Sequence, residues 1–510
     1  MCGIAGALGP PERKDATMAS VRLMCGALDR RGPDGNHQRA FEGAVLGHAR
    51  LAIIDLATGD QPQSTEDEQI VVVVNGEIYN YIELRQELEA DGAVFRTQSD
   101  IEVIPHLYRR HGEAFVDHLR GMFAIALLDR REGSLLLVRD RLGKKPIYWT
   151  DQAGVFYFAS ELKALVAVPE LRFSLDHRAL DAYFTFQYVP APMTVYREAR
   201  KVPAATMMKR DRQGRISERR YWNPPPMDET AVSEEQSLDE LGRKLDEATR
   251  IRLRSDVPLG AFLSAGIDST LVVEAASRIA GEGLGTTTIV FGKEDESEAA
   301  MARSVAERFR TNHREKRIEA DVLEVFEKVG AYLDEPLGDS STVPSYLVSE
   351  ATRADVKVAI SGDGGDESFG GYAWRYWQNL AIDRVRGRLS GPARGLVGLI
   401  ARMYPKGDRL PKKLRLKWGL RNLSVSPEEA YFLDMSIFRP EDKQALYRPE
   451  FRRELGDESA REIIAQPFRE AEGRDLLSKL LYVDLKTYLA EGVLAKVDRM
   501  STANSLEVRS

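Results

Sequence analysis

The chain has 510 residues, 43% apolar and 30% charged, a length and balance that call for two to four folded domains and exclude wholesale disorder. Its net charge of −7 and pI near 5.8 give no general attraction to nucleic acid or to an anionic membrane. No apolar run reaches the length of a membrane span, no secretory signal opens the chain, and two cysteines form neither a disulfide framework nor a zinc site with the histidines, so a reducing, cytoplasmic location is expected.

The chain opens MCGIAG. A cysteine in second place is either an arbitrary thiol on a fraying terminus or, once Met1 is clipped, a free N-terminal nucleophile whose own α-amine serves as base. MASVRLMCGAL has helical apolar spacing and predicts a buried, structural Cys25, and RRGPDG reads as a Pro-Asp-Gly turn. QIVVVVNGEIYNY is a strand running into Asn75-Gly76, ordinarily a hairpin turn. The same pair offers a side-chain amide and a backbone N–H to a tetrahedral oxyanion. GMFAIALLDRREGSLLLVRD and PIYWTDQAGVFYFAS are each two apolar strands around a polar turn, while helical periodicity is confined to IELRQELEADG and the stretch around Cys25. Antiparallel sheets covered by a few helices are expected over residues 1–205. Arg50 in GHARLAIIDL has the geometry to clamp a carboxylate, and Glu77 and Asp100 the charge to hold an amine; each alone reads more readily as a solvated surface charge.

Residues 206–235, which include RRYWNPPPMDETAVSEEQS, are polar and proline-rich and predict a linker. In the helix that follows, Leu238, Leu241, Leu245 and Ile251 share one face. Strands then alternate with helices through 236–510, the pattern of a parallel sheet whose ligands bind at the carboxyl ends of its strands. FLSAGIDST joins a strand to a helix; small residues, a helix N-terminus and the hydroxyls of Ser264, Ser269 and Thr270 suit a phosphate, although Asp268 or Ser269 capping the helix explains the loop equally well. AISGDGGDESFGGY crowds Asp363, Asp366 and Glu367 among glycines after a strand, which is costly unless a cation or polar substrate is present. GVLAKVDRMSTANSLEVRS reads locally as an exposed helix face.

In their order, MCGIAG, RRGPDG, LGHARLAIID, VVNGEIYNY, SDIEVI, GMFAIALLD and RDRLGKKPIYW resemble the glutaminase domain of class II glutamine amidotransferases. LSAGIDS is similar to the Ser-Gly-Gly-x-Asp-Ser loop of ATP pyrophosphatases, and the segment holding Lys496 resembles that near the synthetase site of glutamine-hydrolysing asparagine synthetases. The resemblance implies an N-terminal αββα sandwich of the N-terminal nucleophile type and a parallel-sheet α/β ATP-pyrophosphatase domain. Cys2, Asn75, Gly76, Asp363 and Lys496 are implied to act in catalysis. Arg50, Asn75, Glu77 and Asp100 would bind glutamine, and Leu263, Ser264, Gly266, Asp268, Ser269, Val290, Ser361 and Gly362 would bind ATP. Asp268 and Asp366 would hold Mg2+. The implied reaction amidates a carboxylate, foremost that of aspartate, through an acyl-adenylate with release of AMP and pyrophosphate, in a chain that pairs as a homodimer or stands alone. Three rivals remain: the same chemistry on a polysaccharide or secondary-metabolite carboxylate, a glutaminase with a decayed synthetase half, and a non-catalytic nucleotide-binding regulator. Two departures stand out. Arg30 replaces the His of the usual His-Arg-Gly-Pro-Asp, and Ala265 adds a methyl to the phosphate loop. Relatives also run past EVRS, so a chain truncated at its C-terminus is expected.

Overall fold

The computed structural model describes residues 1–225, 232–292, 296–318, 322–405, 411, 415–455 and 460–510. Two six-stranded antiparallel sheets stack face to face in the first part. One runs, in spatial order, through strands Arg200–Lys201, Tyr148–Gln152, Val155–Ala159, Gly3–Leu8, Ala44–Arg50 and Gly35–Phe41. The other runs through Ile216–Arg220, Thr206–Arg210, Ser134–Arg139, Gly121–Asp129, Ile70–Ile78 and Gln63–Ser64.

Alternation along the strands builds three cores. Val71 and Val73 meet Ile4, Leu46 and Phe158 between the sheets, whereas Val72 and Val74 face Leu84, Leu88, Ile104 and Leu107 of the covering helices. Both faces of this strand are buried, which is why it reads as an unbroken apolar run. Over the first sheet, helix Lys14–Gly26 packs Val21, Met24 and Cys25 against Ala5 and Val45. Cys25 is fully buried, and a Cβ on Gly47 would stand 2.4 Å from its sulfur, so the thiol sits where only glycine leaves room. The protein thus carries the expected αββα sandwich.

The sandwich extends beyond residue 205. Thr206–Arg210 and Ile216–Arg220 pair as a hairpin on Ser134–Arg139, so part of the expected linker is sheet. Its PMDETA stretch, residues 226–231, lies outside the described residues. Helix Glu234–Arg252 follows, started by a capping box between Ser233 and Gln236. Its predicted apolar face is only partly used: Ile251 is buried, but Leu238 and Leu241 are exposed.

The second part is built on a parallel sheet ordered Asn312–Ile318, Gly285–Phe291, Leu259–Phe262, Val358–Ile360, Glu507–Arg509. The last strand brings the end of the sequence back beside the middle of the chain, pairing Val358 with Glu507. Just before it, helix Leu494–Thr502 continues from a wide π-helical turn, Leu489–Val493, and carries buried charges into the sandwich. Arg31 makes a bidentate pair with Asp498 (2.8 and 3.2 Å) and a further bond to Glu161 (2.9 Å). Arg499 reaches Glu161 (2.7 Å), Lys145 reaches Asp498 (3.3 Å), and Arg139 reaches Glu491 (2.8 Å).

Burial alone would push the Asp498 carboxyl up, but Arg31 and Lys145 outweigh it and hold the group well below the usual range. Asp498→Ala would leave Lys145 buried without its ion-pair partner and Arg31 with Glu161 alone. The variant is expected to lose ~3–5 kcal/mol, read as a lowered unfolding midpoint. Because this carboxyl's value is depressed in the folded state, its contribution is complete above pH ~4 and is lost as pH falls toward the folded value. An unchanged midpoint at pH 7 would show that the pair does not hold the two halves together.

Candidate active sites

Cys2 lies at the start of the Gly3–Leu8 strand, whose register pairs Gly3 with Ala49 and so sets Cys2 beside Arg50 and Leu51. Its Sγ is 3.7 Å from the Leu51 carbonyl. The Cys2 carbonyl accepts from Arg31 Nε (3.0 Å) and from the Asn75 amide (2.8 Å), whose oxygen in turn accepts from Arg31 Nη2 (3.1 Å).

Asn75-Gly76 is not a turn. It sits inside the Ile70–Ile78 strand, paired across to Ala124 and Phe123. A Cβ on Gly76 would meet the Met122 carbonyl at 2.0 Å, so glycine is needed there for strand approach. Gly32 is likewise forced, since its Cβ would lie 2.1 Å from the Ala49 carbonyl.

Glu77 is buried near Cys2, and Asp100 is buried beside Glu77. Burial raises the Glu77 carboxyl, and neighbouring Asp100 and Glu507 raise it further, with Arg509 opposing at 3.5 Å. Burial pushes Asp100 up to about 7 although its Oδ2 accepts the Ile78 N–H (2.8 Å). Arg50 is not a solvated surface charge. It is buried and binds Asp60 (2.7 Å) and the carbonyls of Leu56 (3.4 Å) and Asp55 (2.5 Å). With Met1 in place, the thiol is not activated: burial pushes Cys2 up to about 11 and the Met1 amine down to about 6.

The second site is a cleft of about 1020 Å³ at the carboxyl ends of the parallel strands. Leu263, Ser264, Gly266, Asp268, Ser269, Ser361, Gly362, Asp363, Asp366 and Lys496 all line it. Val290 does not: its side chain is buried, and strand alternation turns Ile289 and Phe291 to the cleft instead. Neither Asp268 nor Ser269 caps the Ile267–Ala280 helix, which starts from Gly266. Ser269 instead bonds Ser264 Oγ (2.8 Å), leaving Asp268 free of a capping role.

Glycines let the acidic loop close on the phosphate-type loop. A Cβ on Gly365 would stand 2.5 Å from Asp268 Cγ, one on Gly371 would strike Asp366, and one on Gly362 would crowd the Ser269 N–H at 2.9 Å. Asp268 and Asp366 are therefore neighbours. Burial and the Asp366 charge raise the Asp268 carboxyl, as expected of two acids crowded together. No group of three or more His, Cys, Asp or Glu side chains shaped for a metal occurs among the described residues. Lys496 reaches Asp339 Oδ2 (3.0 Å) and Ser341 Oγ (2.6 Å) across the cleft.

Sequence reasoning missed Arg31, Glu507 and Arg509. Arg31 was hidden in a run whose turn chemistry already explained it. Glu507 and Arg509 sit in a three-residue strand with no periodicity to read. A separate small cavity of about 40 Å³ is lined by Arg139, Tyr148, Lys201, Glu335, Glu491 and Arg499.

An N-terminal cysteine site in a sandwich, coupled to a loop-built cleft on a parallel sheet, defines a two-domain amidotransferase. The comparisons agree: residues 1–222 match the family described as glutamine amidotransferase domain, and residues 240–510 match asparagine synthase. The chain is similar to a Bacillus subtilis (strain 168) protein named asparagine synthetase (glutamine-hydrolyzing) 1, at 34% identity over all of this chain and 79% of the relative. It is 35% identical to a putative asparagine synthetase (glutamine-hydrolyzing) of Mycobacterium bovis, with the same coverage. A putative asparagine synthetase (glutamine-hydrolyzing) 2 of Methanocaldococcus jannaschii is 34% identical over 98% of each chain. A solved glutamine phosphoribosylpyrophosphate amidotransferase from B. subtilis aligns at 14% identity and a TM-score of 0.34, over 71% of this chain and 75% of that one, a likeness too distant to bear on the fold. The chain belongs to the glutamine-hydrolysing asparagine synthetase family and is an enzyme of that class. No described helix is long and apolar enough to cross a membrane.

Proposed function

We propose that the protein amidates the side-chain carboxylate of aspartate, taking nitrogen from glutamine and energy from ATP. The observation that carries this reading is one helix serving both sites. Leu494–Thr502 presents Lys496 to the synthetase cleft, and two residues on it presents Asp498 to Arg31, which holds the Cys2 carbonyl.

Removal of Met1 frees the Cys2 α-amine to take the thiol proton. The thiolate attacks the glutamine amide, and Asn75 with the Gly76 N–H receives the oxyanion. Ammonia leaves, and water releases glutamate from the thioester. Arg50 takes the substrate α-carboxylate, while Glu77 and Asp100 take its ammonium. Arg50→Ala would then raise the glutamine KM by ~10- to 150-fold, the equivalent of ~1.5–3 kcal/mol for a lost charge-assisted contact. Asp100 must be ionised to hold an ammonium. With its carboxyl near 7, the glutamine KM is expected to rise as pH falls through that value. Asp100→Asn should raise the KM above that pH, leave it little changed below, and so flatten the dependence, whereas an unaltered profile would remove Asp100 from the pocket.

In the cleft, the aspartate carboxylate attacks the α-phosphorus of ATP, and pyrophosphate leaves. The LSAGIDS loop receives the departing phosphates, and Lys496 neutralises charge on them or on the reacting carboxylate. The crowded Asp268 and Asp366 carboxylates suit Mg2+, which bound there would screen the pyrophosphate charge. Ammonia then attacks the acyl carbon of the adenylate and AMP departs. A cytoplasmic location and a homodimer are the settings we propose for this chemistry.

The test incubates the full chain with ATP, magnesium and glutamine against a panel of carboxylates and measures pyrophosphate. Aspartate is expected to give the highest kcat/KM. Release with a uronic or other acid and none with aspartate would move the acceptor while leaving the chemistry. No release with any carboxylate would overturn the reading.

A further inference from the structure

The overall charge of −7 conceals a local reversal. Between Arg384 and Lys417 the sequence carries eleven Lys and Arg against a single acid, Asp408. Inside this stretch, helix Gly391–Met403 turns its apolar stripe outward. Leu396, Leu399, Ile400 and Met403 follow the i, i+3, i+4, i+7 spacing of one helical face, and they are 60%, 54%, 45% and 79% exposed. The opposite face holds the helix to the protein: Ala401 is buried, and a Cβ on Gly398 would touch Ser424 of the Lys417–Ser424 helix at 3.3 Å. The preceding helix, Tyr376–Arg386, adds exposed Val385 and Arg384, and Arg388 follows it. Arg402 is exposed beside the stripe. None of these residues lines the synthetase cleft or touches Cys2.

We propose that this face docks the enzyme on an anionic lipid surface, the Gly391–Met403 helix lying in the headgroup plane. A stripe of four large apolar side chains on a 13-residue helix is what interfacial helices insert, and the exposed Arg384, Arg388 and Arg402 supply the attraction to acidic headgroups. The net negative charge elsewhere does not oppose this, because charges more than ~10 Å away are screened at physiological salt. The same charge argues against a second copy as the occupant, since face-to-face pairing would bring two basic surfaces together. The inference is independent of the acceptor proposed above.

The test is flotation of the full chain with vesicles of neutral phosphatidylcholine alone or with 30% phosphatidylglycerol (a ratio of about two to one), at low and high salt. At least ~10-fold more protein is expected on the anionic vesicles, falling as salt screens the attraction. Leu399→Glu with Met403→Glu should abolish flotation, and Arg388→Glu with Arg402→Glu should weaken it. The thermal unfolding midpoints of both variants should match that of the unaltered chain, which shows that they remain folded. Absence of binding to anionic vesicles, or binding that both variants retain, would overturn the proposal. Concentration-dependent self-association lost in the Leu399→Glu, Met403→Glu variant, without vesicle binding, would also overturn it and assign the face to a second copy.

Discussion

Cys2→Ala is expected to reduce glutamine hydrolysis on the order of a million-fold, to background, while amidation from free ammonium stays within a few-fold of the unaltered enzyme. The nucleophile is lost, but the cleft holding Lys496, Asp268 and Asp366 is untouched. The thiol of the unprocessed chain supports a second arm of this experiment. Burial pushes it up to about 11 while Met1 is present, so the thiolate is scarce at neutral pH. A chain extended upstream of Met1, whose Cys2 amine stays in a peptide bond, should therefore behave like Cys2→Ala. The measurements are glutamate release and ammonium-dependent pyrophosphate release in parallel. Glutaminase activity surviving in either protein would remove Cys2 from the chemistry.

The second large effect belongs to Asp366. Asp366→Asn removes one of two carboxylates that the glycine-lined loops press together, and pyrophosphate release should fall by ~10²- to 10³-fold with every acceptor. Glutamine hydrolysis should remain measurable, because that site lies in the sandwich. Relief of the acid pair should also lower the Asp268 carboxyl toward its ordinary value, a change visible by carboxyl-resolved NMR titration. If pyrophosphate release is unaffected, the two acids are a structural feature of the loop and no cation site.

Much of this organisation was legible in the chain. The apolar runs at Ile70–Ile78, Gly121–Asp129 and Ser134–Arg139 marked strands, and the later alternation of strands and helices marked a parallel sheet. What escaped had local explanations strong enough to hide a distant one. Asn75-Gly76 carries a hairpin signal, yet the pairing of nine residues with Gly121–Asp129 overrides it. RRGPDG satisfies a turn by itself, so nothing local shows that Arg31 is buried against a carboxylate 467 residues further on. Asn312–Ile318 is a strand of mostly charged residues at the sheet edge, where solvent relieves the need for an apolar pattern. Val290, implied by the resemblance to bind ATP, has a buried side chain, because a strand turns alternate side chains to opposite faces and its neighbours Ile289 and Phe291 line the cleft. The motif residues themselves converged because glycine spacing encodes close approach, as Gly362 and Gly365 do around Asp268.

The central claim is that one polypeptide moves nitrogen from glutamine onto an ATP-activated carboxylate. Its most direct test supplies glutamine labelled with ¹⁵N at the amide, together with ATP, magnesium and aspartate, and follows label and pyrophosphate in the same reaction. The account predicts ¹⁵N in the side-chain amide of asparagine, one pyrophosphate for each asparagine formed, and no label transfer after Cys2→Ala. Label appearing only as free ammonium, with glutamate produced and no pyrophosphate, would contradict it.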